Sequence, residues 1–161
     1  MIDNAQSTRV SGQVLAAVRL GNKWGYIDQT GKCVVHPQFD SAGNFEEGLA
    51  VVNLGGSGWP TIGGKWGYID KIGKFVINPQ FDDAWSFSQG LAAVQTNGKW
   101  GYIDTRGKFA INPKFEDTLI FGFSQGLAAV QTNGKWGYID SSGKYVINPQ
   151  FDETWGFRSS G

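Results

Sequence analysis

The chain has 161 residues, enough for one domain with a sizeable core and too few for two large ones. Lys plus Arg and Asp plus Glu both number 14, so the formal net charge is zero and the basic excess that nucleic acids attract is missing. No apolar run approaches the roughly 20 residues of a membrane-spanning helix. We therefore expect neither a nucleic-acid partner nor membrane insertion. The 24 glycines and 14% aromatic residues favour short strands joined by tight turns, and hence an all-β fold.

The cysteine content and the two ends bear on the compartment. A single cysteine, Cys33, excludes an internal disulfide and allows a reducing environment. The first residues lack the apolar core of a signal peptide. We expect a soluble protein and favour the cytoplasm, with secretion open if a signal segment has been removed. Residues 1–11 are predicted to be a flexible N-terminal segment and residues 158–161 a tail.

One six-residue string, Lys-Trp-Gly-Tyr-Ile-Asp, marks internal repetition. Its four copies begin at residues 23, 65, 99 and 135, which gives a unit of roughly 35 residues. The second copy carries an insertion, residues 54–64, which we predict to be a flexible Gly-rich loop. We predict a single repeat domain over residues 12–157. Its repeats lie at about 12–47, 48–89, 90–125 and 126–157.

Turn residues divide each repeat into strands. Asn97-Gly98 lies between two apolar runs and predicts a hairpin with a type I′ turn. Asp104 and Gly107 stand at the first and last positions of the next turn. A third run, such as residues 75–77, is β-branched and aromatic, and we expect it to stop before Asn-Pro. Each repeat is therefore predicted to be a three-stranded meander. The link that follows, residues 81–90, is compatible with a helical turn, a short fourth strand or a packed loop.

Strand alternation predicts how the repeats pack. Trp100 and Tyr102 lie on one face of their strand, and Gly101 and Ile103 on the other, so both faces are at least partly apolar. A sheet with two apolar faces needs cover on both, and a single meander is marginal alone. We expect the repeats to pack on their neighbours as an open superhelical stack of meanders, with a closed four-bladed propeller as the alternative.

These motifs resemble those of the WG-repeat proteins, a bacterial family of β-repeats. The resemblance rests on Gly-Leu-Ala, Lys-Trp-Gly-Tyr-Ile-Asp, Gly-Lys and Pro-Gln-Phe-Asp, and covers about residues 12–157. It implies a non-catalytic repeat module and supplies no catalytic residue. The sequence departs from its own consensus at His36, at Lys114 and in the longer third link, residues 116–123.

Candidate chemistry is sparse. The only histidine, His36, follows Cys33 by three residues, a spacing that puts the two side chains on opposite faces of a strand. The Asp that ends each copy of the string is interpreted as a turn acceptor, and a second set of acids after Pro-Gln/Lys-Phe as caps of the following turn. We expect no catalytic residue, no metal site and no cofactor. A hydrolase built from paired carboxylates is the least favoured function.

The repeated aromatic residues have two interpretations. Exposed, they form platforms for sugars or peptides; packed between repeats, they are core, which we favour. Together with the turn Asp they form the structural signature of the repeat: Trp24, Tyr26, Asp28, Trp66, Tyr68, Asp70, Trp100, Tyr102, Asp104, Trp136, Tyr138 and Asp140. Trp59, in the insertion, lies outside this consensus, so core packing does not explain it.

We therefore predict a non-catalytic protein-interaction or scaffolding module that binds another protein or a second copy of itself. The alternative is a lectin-like module that binds carbohydrate or cell wall through the aromatic platforms. Contact residues are expected at positions outside the consensus: Trp59, Arg106, Leu119, Ile120 and Trp155.

Overall fold

The computed structural model describes residues 13–157, in which every regular element is a β-strand. The predicted flexible segment 1–11 and tail 158–161 lie outside this range. The chain divides between Gln80 and Phe81 into two compact units.

The first unit holds two antiparallel sheets in which neighbouring strands are also consecutive in sequence. Sheet 1 consists of β1 (Ala16–Leu20), β2 (Lys23–Ile27) and β3 (Cys33–Phe39). Sheet 2 consists of β4 (Ser41–Glu46), β5 (Leu49–Ser57), β6 (Ile62–Ile69) and β7 (Phe75–Phe81).

The second unit repeats this plan. Sheet 3 consists of β8 (Asp83–Ala84), β9 (Ala92–Thr96), β10 (Lys99–Ile103) and β11 (Phe109–Phe115). Sheet 4 consists of β12 (Asp117–Thr118), β13 (Ala128–Thr132), β14 (Lys135–Ile139) and β15 (Tyr145–Phe151). The all-β prediction is confirmed, as are the four antiparallel sheets, one for each repeat. No sheet closes on itself within residues 13–157.

The link between repeats, left open by the sequence, supplies a short strand to the sheet that follows it. Asp83 pairs with Gln95 and Ala84 with Val94. The chain then turns back at Gln89-Gly90, where both residues have positive φ, 52° and 81°, as a type I′ turn requires. Three of the four sheets therefore have four strands, and the structural repeat begins in the link.

The third strand differs from the prediction, because it continues through Asn-Pro to the following Phe. Between β10 and β11, Trp100 faces Phe115 and Tyr102 faces Ile111, so the single residue Gly101 on one strand lies opposite three residues, 112–114, on the other. This is a bulge, and a proline inside it does not remove a ladder hydrogen bond. The expectation that Pro ends the strand was wrong for this reason.

The glycine of the Trp-Gly pair makes room for this bulge. A Cβ atom on Gly101 would lie 2.6 Å from the carbonyl oxygen of Ile111 and 2.7 Å from the nitrogen of Pro113, closer than a side chain can approach the backbone. The same close approach occurs at the other three copies, Gly25, Gly67 and Gly137. The Trp-Gly pair is therefore a steric requirement of the bulged strand.

Within each unit the two sheets share a core. In the first unit, Phe39 of sheet 1 packs edge-on against Phe75 of sheet 2, with ring centroids 6.0 Å apart. In the second unit, Phe115 of sheet 3 packs in the same way against Tyr145 of sheet 4, at 6.4 Å. Packing between consecutive repeats is thus observed within both units, and it buries apolar surface that one meander alone would expose.

Candidate functional site

The motif aromatics serve mainly as core. All four motif tyrosines are buried, and Trp100 and Trp136 are buried as well. Trp24 and Trp66 are half-buried. The Tyr102 hydroxyl bonds the Thr118 hydroxyl at 2.6 Å, and burial raises the pKa of Tyr102 to about 12. Because these side chains are buried, two of the four tryptophans and all four tyrosines offer no free ring face to a ligand.

The motif aspartates hold the turn after the second strand. Asp104 accepts hydrogen bonds from the backbone N–H groups of Arg106 at 2.9 Å and Lys108 at 3.0 Å. These bonds, that of Lys108 first, lower the pKa of Asp104 below its ordinary value. Asp28, Asp70 and Asp140 accept the equivalent pair of backbone bonds. These carboxylates are turn acceptors, as interpreted from the sequence.

The second set of carboxylates caps the hairpin of the next repeat. Glu116 accepts from the backbone N–H groups of Asn133 at 2.6 Å and Gly134 at 3.2 Å. In the preceding link, Asp82 accepts a hydrogen bond from the backbone N–H of Asn97 at 3.0 Å. Asp82 and Glu116 therefore bond the turn that follows them in sequence, which matches the capping interpretation, whereas Asp152 pairs with Lys135 of the preceding hairpin.

Cys33 and His36 lie closer together than strand alternation predicts. The Cys33 sulfur is 4.0 Å from His36 Nδ1, and both side chains are exposed. The cause is the irregular pairing of β3, where Ile27 faces Cys33 and Tyr26 faces Val35. The prediction of opposite faces was wrong, because the bulge shifts the alternation by one residue.

The insertion in the second repeat is an ordered hairpin. It extends β5 and β6, which pair as far as Ser57 and Ile62. The buried amide of Asn53 accepts from the Gly56 N–H at 2.9 Å and donates to the Gly63 carbonyl at 3.2 Å, so it bridges the two strands. The predicted flexible loop is therefore wrong in this respect: glycines admit close strand pairing here and a buried amide bonds to both strands.

Trp59 lies at the tip of this hairpin and is 90% exposed. It lines a groove of about 630 Å³ in the first unit, here named the Trp59 groove. The lining combines two tryptophans with hydrogen-bonding side chains: Arg19, Asn22, Trp24, Asp40, Ser41, Trp59 and Thr61. The groove size lies within the ~300–1,000 Å³ typical of small-molecule sites.

Asp40 is the charged centre of this groove. Its carboxylate accepts from Lys23 Nζ at 2.6 Å and from the backbone N–H of Gly55 at 2.7 Å. The Lys23 bond first, and then the Gly55 bond, lower the pKa of Asp40 below its ordinary value of 3.8. Asp40 therefore stays ionised at neutral pH, and it fastens the base of the insertion hairpin to the link.

A second surface, in the second unit, is apolar. Trp155 is 86% exposed, and Ile120, Phe121 and Phe157 are each exposed by roughly half. The two segments that carry these residues meet, since a Cβ atom on Gly156 would lie 3.1 Å from Leu119 Cδ1. Leu119 packs in turn on Trp136 and Tyr138. We name this surface the apolar patch: Leu119, Ile120, Phe121, Trp155 and Phe157.

The structure thus separates the predicted contact residues. Trp59 lies on the groove in the first unit, and Leu119, Ile120 and Trp155 lie on the apolar patch in the second. Arg106 is on neither, because its guanidinium bonds Asp104 of its own turn at 3.2 Å. Within residues 13–157, no three His, Cys, Asp or Glu side chains gather as a metal site would require. The same residues contain no helix long and apolar enough to span a bilayer.

Comparison with known proteins identifies the family of this repeat. The family described as WG containing repeat matches residues 24–57, 66–100, 100–136 and 136–161. The chain belongs to this family. A search of curated proteins found no match. The WG repeat is therefore the shared framework, and the Trp59 groove arises where one repeat departs from it.

Sequence reasoning missed the polar side of the groove. Arg19 stands opposite Trp24 in sheet 1, where the third and fourth WG repeats place Gln95 and Gln131 opposite their tryptophans. That departure from the consensus was visible in the sequence. The proximity of Arg19 to Asp40 and to the insertion was not visible in the sequence, because it depends on how sheet 2 packs on sheet 1.

Proposed function

We propose that this chain is a non-catalytic protein-interaction module, and that the apolar patch binds its partner. The observation that carries the proposal is Trp155, which is 86% exposed in the segment whose Gly156 meets Leu119, and Ile120 and Phe121 next to Leu119 in sequence are exposed as well. Exposed aromatic and aliphatic side chains that cluster on a soluble surface are characteristic of protein interfaces. The partner is another protein or a second copy of the chain.

The state of the carboxylates supports a non-catalytic function. The motif aspartates and the link acids accept backbone hydrogen bonds and serve as structural acceptors. A hydrolase requires a pair of carboxyl groups that face a substrate with separated pKa values. Structural use of these acids in successive repeats makes the carboxylate-based hydrolase the weakest candidate.

Carbohydrate binding through the four motif tryptophans is also weakened. Trp100 is buried and stacks on Trp85, with ring centroids 5.7 Å apart and planes inclined by 4°. Trp136 is buried in a cluster with Ala129 and Tyr138, on which Leu119 packs. A lectin with four equal platforms would need these faces free, so we rank it below protein binding.

The test is capture of proteins from a lysate on the immobilised chain, together with sedimentation velocity of the chain over a range of concentrations. Trp155→Ala should weaken the captured or self-associated complex on the order of 30-fold, since an interface tryptophan contributes about 2 kcal/mol or more. Trp59→Ala is the matched control, because it removes an equally exposed ring from the other unit. If no captured protein and no self-association depends on Trp155, the proposal fails.

A further inference from the structure

We propose that the Trp59 groove binds a saccharide, with a pyranose ring stacked on Trp59 and its hydroxyl groups bonded to the polar lining. This site is separate from the apolar patch and does not depend on the protein-interaction function. It also differs from a lectin with repeated platforms, because only one of the four repeats carries the insertion.

The stacking surface is an isolated ring on a rigid support. Trp59 is 90% exposed at a hairpin tip whose base is held by Asn53 and by the bond between Asp40 and Gly55. An exposed indole leaves a large apolar face in water, and the C–H face of a pyranose is a flat apolar partner for it. Because the hairpin is already ordered, little conformational entropy is lost when this ring is covered.

The polar lining matches the edge of a sugar. Each hydroxyl group both donates and accepts, so a saccharide site needs acceptors and donors side by side. Asp40 is an ionised acceptor whose carboxylate has about four lone-pair sites for Lys23, Gly55 and further donors. Arg19 supplies donors, and the Asn22 amide supplies both kinds of group.

The same lining argues against other ligand classes. A nucleic acid or polyanion requires a basic field, whereas here Asp40 lies within the groove and pairs with Lys23. The centre of a protein interface is depleted of charged residues, whereas this groove is lined by the charged residues Arg19 and Asp40 as well as by two tryptophans. A neutral ligand rich in hydroxyl groups with one apolar face fits both the charges and the tryptophan.

The experiment is calorimetric titration of the purified chain with neutral tetrasaccharides of glucose, N-acetylglucosamine, mannose, galactose and xylose, run in parallel with tryptophan fluorescence. We expect at least one tetrasaccharide to bind saturably and to perturb the emission. Trp59→Ala should weaken that binding at least ~10-fold, since it removes the stacking face. Asn22→Ala should weaken it by a smaller factor, on the order of 3-fold to 10-fold, through lost hydrogen bonds.

The matched control is Trp155→Ala, which removes a ring of similar exposure from the other unit and should leave saccharide affinity unchanged. Near-equal circular dichroism and thermal unfolding of the variants and the wild type show that the fold is kept. The proposal is overturned if no tetrasaccharide binds, or if Trp59→Ala and Trp155→Ala weaken binding equally. Neither result affects the protein-interaction proposal, which depends on Trp155.

Discussion

Two exposed tryptophans, one in each unit, have nearly the same accessibility and different surroundings. Trp59 is 90% exposed and Trp155 is 86% exposed. Trp59 lines a groove together with Arg19, Asn22 and Asp40, while Trp155 lies in an apolar segment whose Gly156 meets Leu119 and whose Phe157 packs on Tyr138. An exposed tryptophan by itself therefore does not define a ligand. The neighbouring groups decide whether its partner must satisfy hydrogen bonds or bury apolar surface.

The two tryptophans also differ in their relation to the repeat. Trp155 occupies the link position that Trp85 occupies two repeats earlier, where the ring stacks on Trp100. Trp59 has no counterpart, because it belongs to the insertion. Trp155 thus occupies a position of the repeat that is half-buried at Trp85, whereas Trp59 is an addition to one WG repeat.

The largest expected effect is on the stability of sheet 4, which carries the residues that Leu119 of the apolar patch packs against. In Gly137→Ala, the added Cβ would meet the Ile147 carbonyl oxygen at 2.5 Å and the Pro149 nitrogen at 2.7 Å. Since both are backbone atoms in a bulge, we expect a loss of about 3 kcal/mol of unfolding free energy. Gly134→Ala is the control in the same sheet, with φ of 75° and open space around it, and should cost about 1–2 kcal/mol. Urea unfolding measures both, and equal losses would contradict the steric explanation.

The second-largest effect is expected from a deletion that removes the Trp59 groove and leaves the apolar patch in place. We expect a chain in which residues 55–64 are replaced by Asn-Gly to fold, because Asn97-Gly98 closes the equivalent hairpin in the third repeat with φ of 53° and 77°. Tetrasaccharide binding should be lost, and binding that depends on Trp155 should be retained. Calorimetry and sedimentation measure the two. Retained saccharide binding would show that the insertion does not form the site.

The smallest effect concerns pH and the groove. The pKa of Asp40 is lowered in the folded protein, so folding favours the ionised carboxylate. The stability that this contributes is fully present above the ordinary pKa of 3.8 and is lost as pH falls through the lowered pKa. Saccharide affinity should thus stay within about twofold between pH 7 and about pH 4.5. Titrations across this range, with circular dichroism at each pH, check it. A loss of affinity centred near pH 6 would assign the interaction to another group.

Much of the local structure could be predicted from short-range patterns. Asn97-Gly98 has the positive φ angles of a type I′ turn, and Asp104 accepts the expected backbone bonds. These features depend on residues that are neighbours in sequence, so local conformational preferences decide them. The link hairpin at Gln89-Gly90 escaped prediction, because a Gln with positive φ is uncommon and because Leu91, which pairs with Ser88 across this turn, belongs to the next motif.

Individual residues of the candidate sites could be predicted from the sequence, but their grouping into two surfaces could not. Trp59, Ile120 and Trp155 stood out because they depart from the consensus. Arg19 and Asp40 were not associated with Trp59, since 40 residues of sequence separate Arg19 from the hairpin tip and the groove forms when sheet 2 packs on sheet 1.

The amino-acid sequence by itself determined the WG repeat, the hairpin turns and the all-β class, because periodic apolar residues and turn residues act over a few positions. Tertiary structure alone decided the strand through Asn-Pro, the ordered insertion and the two surfaces. Each of these depends on atoms from different strands or links: a carbonyl over Gly101, the Asn53 amide between two strands, and the groups that line the groove or meet at Gly156 and Leu119. Close packing and the need to pair buried polar groups select these contacts, and neither requirement can be read from a local pattern.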